Sequence, residues 1–185
     1  MTKVYASSAD LAGAFPVDVK SDAILAFSGF PITRLLGRGF SVRVGNEAVT
    51  MPGRIHNDPE LIHVAQLTEL QREIIDCILT RHSDGFVREQ NLARIIRSKN
   101  AWVPPFVIQL VGEYVIEILR VVHANLQNLD GAAYRTFLRA NPAFFATTQR
   151  RVISYWNCYY RNYPREQYVG FQLLEFFKSL VGDSD

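Results

Sequence analysis

Arg54-x-His56-x-Asp58, with His63 close behind, is the grouping in this chain best suited to acid–base or metal work. Imidazole and carboxylate are common ligand and proton-transfer groups. The spacing matches no metal motif, since a hydrolytic zinc helix places its two histidines four residues apart. Asp58 as a helix cap, with Pro59 in the first helical position, accounts for the same residues without chemistry. Glu113 and Glu117 form a second grouping, one helical turn apart, where two carboxylates can shift each other's proton affinity. A carboxylate-bridged dimetal helix adds a histidine three residues after a glutamate. Here Ile116 and Arg120 occupy those positions, and the arginine fits a charge-balanced structural seam better.

The third grouping is the run Tyr155-Trp156-Asn157-Cys158-Tyr159-Tyr160-Arg161-Asn162-Tyr163, flanked by Arg150, Arg151 and Arg165. Arg150, Ser154, Asn157 and Arg161 fall at i, i+4, i+7 and i+11, one face of a helix. Phe145, Val152, Trp156 and Tyr163 then fall on the opposite, core side. Tyr155, Tyr159 and Arg165 flank the polar face, with the tyrosines expected to be partly buried. Tyrosine, tryptophan and arginine are the residues of protein-interface hot spots. The same types stack bases and neutralise phosphates in single-strand binders.

Other catalytic templates fail. Gly37-Arg38-Gly39 lacks the third glycine and the lysine of phosphate-cradling loops, and no Gly-x-Ser-x-Gly elbow exists. Cys77 reads as buried and inert, and His82 and His123 as residues satisfying helix ends. No catalytic residue, metal ligand or cofactor is therefore assigned, and no motif is specific enough to name a family.

The elements that must hold these residues come from a chain of 185 residues, 48% hydrophobic and 21% charged. That composition excludes intrinsic disorder and suffices for a core without disulfide or metal staples. The net charge of +2 provides no global field for nucleic acid or an anionic membrane. Two cysteines without framework spacing, no secretory pattern in Met1–Asp10 and no apolar run of ~20 residues lead to the expectation of a soluble cytoplasmic protein without membrane association.

Residues 1–58 are rich in glycine, proline and short apolar runs. Phe40–Val44 and Glu47–Met51 alternate apolar and polar residues around Gly45-Asn46, which predicts a β-hairpin over 40–51. Ala9–Phe15 and Asp22–Phe27 predict short helices. From 59 to 185 the reading is helical. Thr68-x-x-Gln71 predicts a capping box, and Ile74, Ile75, Ile78 and Leu79 a buried face, with Thr80 facing away. Asp84 predicts the next cap. Phe106–Leu126 reads as one central helix, apolar nearly all round, with Ile116 and Leu119 fully buried. Asp130 and Asn141 predict two more caps, and Pro164 the opening of a last helix that buries Leu173, Leu174, Phe177, Leu180 and Val181.

The expected fold is thus mainly α, a multi-helix bundle with a small N-terminal α+β segment containing one β-hairpin. The segments are 1–58 and 59–185, forming one compact unit. The function that follows best is a non-enzymatic cytoplasmic interaction or adaptor protein, binding another protein or itself. A nucleic-acid binder using the Arg/Tyr helix is the alternative, and an enzyme comes third. The residues expected to bind are Arg150, Ser154, Tyr155, Asn157, Tyr159, Arg161 and Arg165.

Overall fold

The computed structural model describes residues 4–63 and 65–182. Residues 1–3 and 183–185, which the segments above include, lie outside the described residues, as does Val64. Among the described residues the protein is mainly α, with nine helices and five short strands. The chain divides into two compact units, Met1–Ile95 and Ile96–Asp185.

In the first unit, β1 (Val4–Ala6) leads into α1 (Ser8–Ala12), where Ser7 and Asp10 make a reciprocal capping box. Helix α2 (Lys20–Ser28) follows and buries Ala23, Ala26 and Phe27. Strands β3 (Phe40–Val44) and β4 (Glu47–Met51) pair antiparallel with Val44 opposite Glu47, as the alternating sequence demands. Gly45 has φ +57 and is the only one of the two turn residues with positive φ. Glycine at the first central position of a two-residue turn lets the strands keep their twist. Val42, Val44, Val49 and Met51 are the buried half of the alternation.

A second, three-stranded sheet went unread in the sequence. β2 (Thr33–Leu36) sits between β1 and β5 (Arg54–His56), antiparallel to both. Arg54–His56, grouped above with the Asp58 cap, is therefore a strand, and Tyr5, Arg34 and His56 stand opposite one another across the sheet. The expected cap lies just beyond, where Asp58 accepts from the Glu60 N–H at 3.1 Å and Pro59 opens a single 3₁₀ turn.

Helix α3 (Glu69–Leu79) has the predicted Thr68–Gln71 capping box and packs on α2 and α4 (Gly85–Ile95). Thr80 does not face away; it is buried, and its hydroxyl donates to the Cys77 carbonyl at 2.6 Å. Asp84 starts α4 by accepting from the Phe86 N–H at 2.8 Å. Buried Arg88 donates to the carbonyls of His82 and Ser83, both at 3.0 Å, fixing the α3–α4 turn from inside.

In the second unit, the single helix expected over Phe106–Leu126 is two helices. α5 (Pro104–Val111) and α6 (Ile116–Ala124) are separated at Gly112–Val115. All eight residues of α5 are buried, Gln109 included, whereas α6 buries only Ile118, Leu119 and Val122. Ile116 is half-buried. Glu113 lies in the break and is 3% exposed, while Glu117 is exposed on α6, so the two carboxylates do not share a helix face. The sequence pattern merged two separate apolar faces into one apparent cylinder.

Helix α7 (Gly131–Ala140) starts on Asp130 as expected and buries Tyr134, Phe137 and Leu138. α8 (Pro142–Tyr155) begins with Pro142 but without a side-chain cap, because Asn141 Nδ2 instead donates back to the Phe137 carbonyl at 2.8 Å. A π-turn, Trp156–Tyr160, extends α8. Pro164 precedes a 3₁₀ turn rather than a helix, and α9 (Val169–Gly182) follows, burying Leu173, Leu174 and Phe177. Leu180 and Val181 are only half-buried.

Candidate functional site

The π-turn governs the surface of the second unit. Its i→i+5 pattern winds more slowly than an α-helix, and the helical backbone ends at Tyr160, so Tyr163 lies beyond the element to which the 3.6-residue period applies. Tyr163, assigned by that period to the core side, is 53% exposed, and Tyr159 is 66% exposed. Phe145 and Val152, before the turn, are buried as expected, and Trp156 is half-buried.

Aromatic rings brace this segment from both sides. Tyr114, from the α5–α6 break, lies 5.8 Å from Tyr155 and 6.0 Å from Tyr159, and those two stack at 6.2 Å. Tyr160 stacks on Tyr168 at 5.1 Å, and its hydroxyl donates to the Tyr114 carbonyl at 2.6 Å. The Trp156 Nε1–H donates to the Tyr163 carbonyl at 3.1 Å, closing the segment on itself. Trp156 also meets Phe171 edge-on at 5.5 Å, and the Arg165 guanidinium lies 4.4 Å from the centre of the Phe171 ring. Gly170 permits this packing, because a Cβ there would collide with the Tyr168 ring and lie 2.9 Å from Val152 Cγ1. Burial pushes the Tyr160 phenol up, with the Glu117 charge adding to it. Burial pushes the Tyr168 phenol further, well above the usual tyrosine range.

All four residues of the expected polar face, Arg150, Ser154, Asn157 and Arg161, are exposed. Arg150 donates to Thr147 Oγ1 at 2.8 Å, and Asn157 Nδ2 donates back to the Ile153 carbonyl at 3.0 Å. Of the flanking residues, Tyr155 is half-buried, while Tyr159 and Arg165 are exposed. Residues 150–165 contain four arginines and no acidic residue. The surface is thus a positively charged strip of fixed phenol rings, carrying hydrogen-bond donors and planar apolar area. Sequence reasoning missed Tyr114, whose only signal was its place just after Gly112 in an apolar run.

His56 is exposed, with Nδ1 2.9 Å from Ser83 Oγ, and its ring stacks on buried His82 at 5.9 Å. Among the described residues no group of three His, Cys, Asp or Glu side chains is placed to hold a metal ion. Cys77 is fully buried, which pushes its thiol well up, away from the reactive thiolate. Cys158 is exposed on the π-turn. No helix among the described residues is long and apolar enough to cross a membrane. Comparison with known protein families, curated proteins and solved structures finds no match for this chain.

Proposed function

We propose that this chain is a non-enzymatic cytoplasmic interaction protein. Its partner is a protein bearing an acidic segment, which docks on Arg150, Ser154, Asn157 and Arg161 beside Tyr155, Tyr159 and Arg165. The observation that carries this reading is Tyr159, an aromatic side chain 66% exposed yet braced by two neighbouring rings. A pre-positioned ring loses little conformational freedom on binding, which suits an interface anchor. Four arginines without an acid in residues 150–165 supply the charge complementarity. Single-stranded nucleic acid would use the same arginines, but base stacking needs open ring faces. Here Tyr155 and Tyr159 already stack on each other, and Tyr114 leans on both.

The test pairs two measurements on wild type and Arg150→Ala/Arg161→Ala. A partner identified by cross-linking from the native cell, then purified, is expected to bind wild type and to bind the variant about tenfold more weakly. A labelled single-stranded oligonucleotide is expected to show no binding. Micromolar oligonucleotide binding that falls with salt, with a log–log slope of roughly −0.7 per phosphate, and that the variant abolishes, overturns the reading.

A further inference from the structure

In the first unit, β5 and the α3–α4 turn are held together by backbone bonds and one buried imidazole. The Ile55 N–H donates to the Arg81 carbonyl at 3.0 Å, and the Ser83 N–H donates to the Ile55 carbonyl at 2.7 Å. His82, 3% exposed, bridges Ile55 in parallel register within this seam. The pairing covers the outer side of β5, an edge strand of the three-stranded sheet.

Both ring nitrogens of His82 are committed, and in opposite roles. Nδ1 lies 3.0 Å from the Asp84 backbone N–H, a group that can only donate. Nε2 lies 3.1 Å from the Asn57 carbonyl, a group that can only accept. Together they fix a neutral ring with its proton on Nε2. A second proton would go to Nδ1 and set two N–H groups head to head across a hydrogen-bond distance. The Asp84 N–H cannot turn away alone. The Ser83 N–H before it is bonded to Ile55, and the Phe86 N–H after it to Asp84 Oδ1 at 2.8 Å. The titratable and charged groups around the ring come from each neighbouring element. His56 stacks on it from β5, Arg88 reaches the His82 carbonyl from α4, and Asp84 stands in the turn itself. Burial, with His56 and Arg88, outweighs Asp84 and the Asn57 bond, and so disfavours the imidazolium while the seam is closed.

We propose that His82 is a proton-operated latch: in acid its Nδ1 takes a proton, the ring leaves the turn, and the seam between residues 55–57 and 82–84 opens locally. Ser83 and Asp84 are already exposed, so the ring reaches water by an outward movement of the turn. Arg88 donates to the carbonyls of both His82 and Ser83, which holds the turn on α4 and confines the opening to the β5 side. Acid thereby uncovers the edge of β5. The latch shares no residue with the tyrosine–arginine strip, so either proposal stands or falls alone.

The full chain, isotopically labelled, is followed by NMR from about pH 7.5 to about pH 5.5. The readouts are the His82 ring nitrogens and amide exchange at Ile55, Ser83 and Asp84, corrected for the chemical exchange rate. At the upper pH the ring is expected to carry its proton on Nε2. With the proton excluded from the closed seam and bound by the open one near the ordinary value of 6.5, the open population grows about tenfold over this range. Amides within α3, α4 and the β3–β4 hairpin are expected to keep their protection. His82→Gln retains a donor and an acceptor but cannot titrate, and is expected to keep the seam closed at both ends of the range. His56→Gln is expected to leave the opening in place. Should His82→Gln lose its dispersed spectrum, wild type and His56→Gln still decide. The proposal is overturned if the three seam amides stay protected in acid, or if the whole first unit loses protection with them. It is equally overturned if His82 carries its proton on Nδ1 at the upper pH, or if His56→Gln abolishes the opening.

Discussion

The Tyr160 hydroxyl donates to the backbone carbonyl of Tyr114, 2.6 Å away and 46 positions distant in the chain. This bond ties the π-turn to the break between α5 and α6, two irregular segments whose backbones leave carbonyls without helical partners. Removing only the hydroxyl, in Tyr160→Phe, keeps the ring stacked on Tyr168 and leaves the Tyr114 carbonyl to water. The expected loss is about 1 kcal/mol in chemical denaturation. An unchanged midpoint would mean that the ring stack alone holds the two segments together.

The split between α5 and α6 has its own signature in stability. Leu119 is fully buried, whereas Ile116 at the start of α6 is half-buried. Leu119→Ala is expected to cost ~2–5 kcal/mol, the range of a core cavity. Ile116→Ala should cost less than half as much in the same denaturation experiment. Equal losses would restore the single continuous helix that all-round apolarity suggests.

That apolarity shows where the sequence is legible and where it is not. The hairpin could be read because strict alternation and Gly45-Asn46 are both local signals. The capping residues Thr68, Asp84 and Asp130 were legible for the same reason. Strands β1, β2 and β5 are only three or four residues each, and they are specified by pairing Tyr5 with Arg34 and Arg34 with His56 across the chain. No window of sequence contains that information. On the candidate surface, the exposed face before and within the π-turn followed from spacing. The outward turn of Tyr163 did not, because the helical backbone ends at Tyr160 and the period does not apply beyond it.

His82 makes stability depend on pH in a defined direction. The Asp84 N–H donates to Nδ1 at 3.0 Å, so the ring is neutral and carries its proton on Nε2, which donates to the Asn57 carbonyl. Burial lowers its proton affinity below the ordinary value of 6.5. His56 and Arg88 act in the same direction, while the bond to Asn57 and the Asp84 charge oppose them. The unfolded chain therefore binds more protons than the native one just below pH 6.5, and stability falls as pH drops through that window. One proton limits the slope to at most about 1.4 kcal/mol per pH unit. His82→Gln is expected to flatten this part of the denaturation profile, whatever its baseline stability. A variant with the wild-type slope would place the titration on another group.

Charge and ring on the proposed interface should separate kinetically. Arg150 and Arg161 are exposed, with long flexible side chains, and such charges act mainly by steering encounter. For a purified partner, Arg150→Ala/Arg161→Ala is expected to slow association and to flatten its dependence on salt, leaving most of the dissociation rate intact. Tyr159 contributes instead a ring held in place by Tyr114 and Tyr155, a contact that exists only after docking. Tyr159→Ala is therefore expected to leave association nearly unchanged and to raise dissociation about tenfold, equivalent to ~1.4 kcal/mol. Surface-plasmon kinetics at two salt concentrations reads both effects at once. If Tyr159→Ala left dissociation untouched while the arginine pair accounted for the whole affinity, the strip would be an electrostatic patch without an aromatic anchor. The argument from the braced rings would then fail.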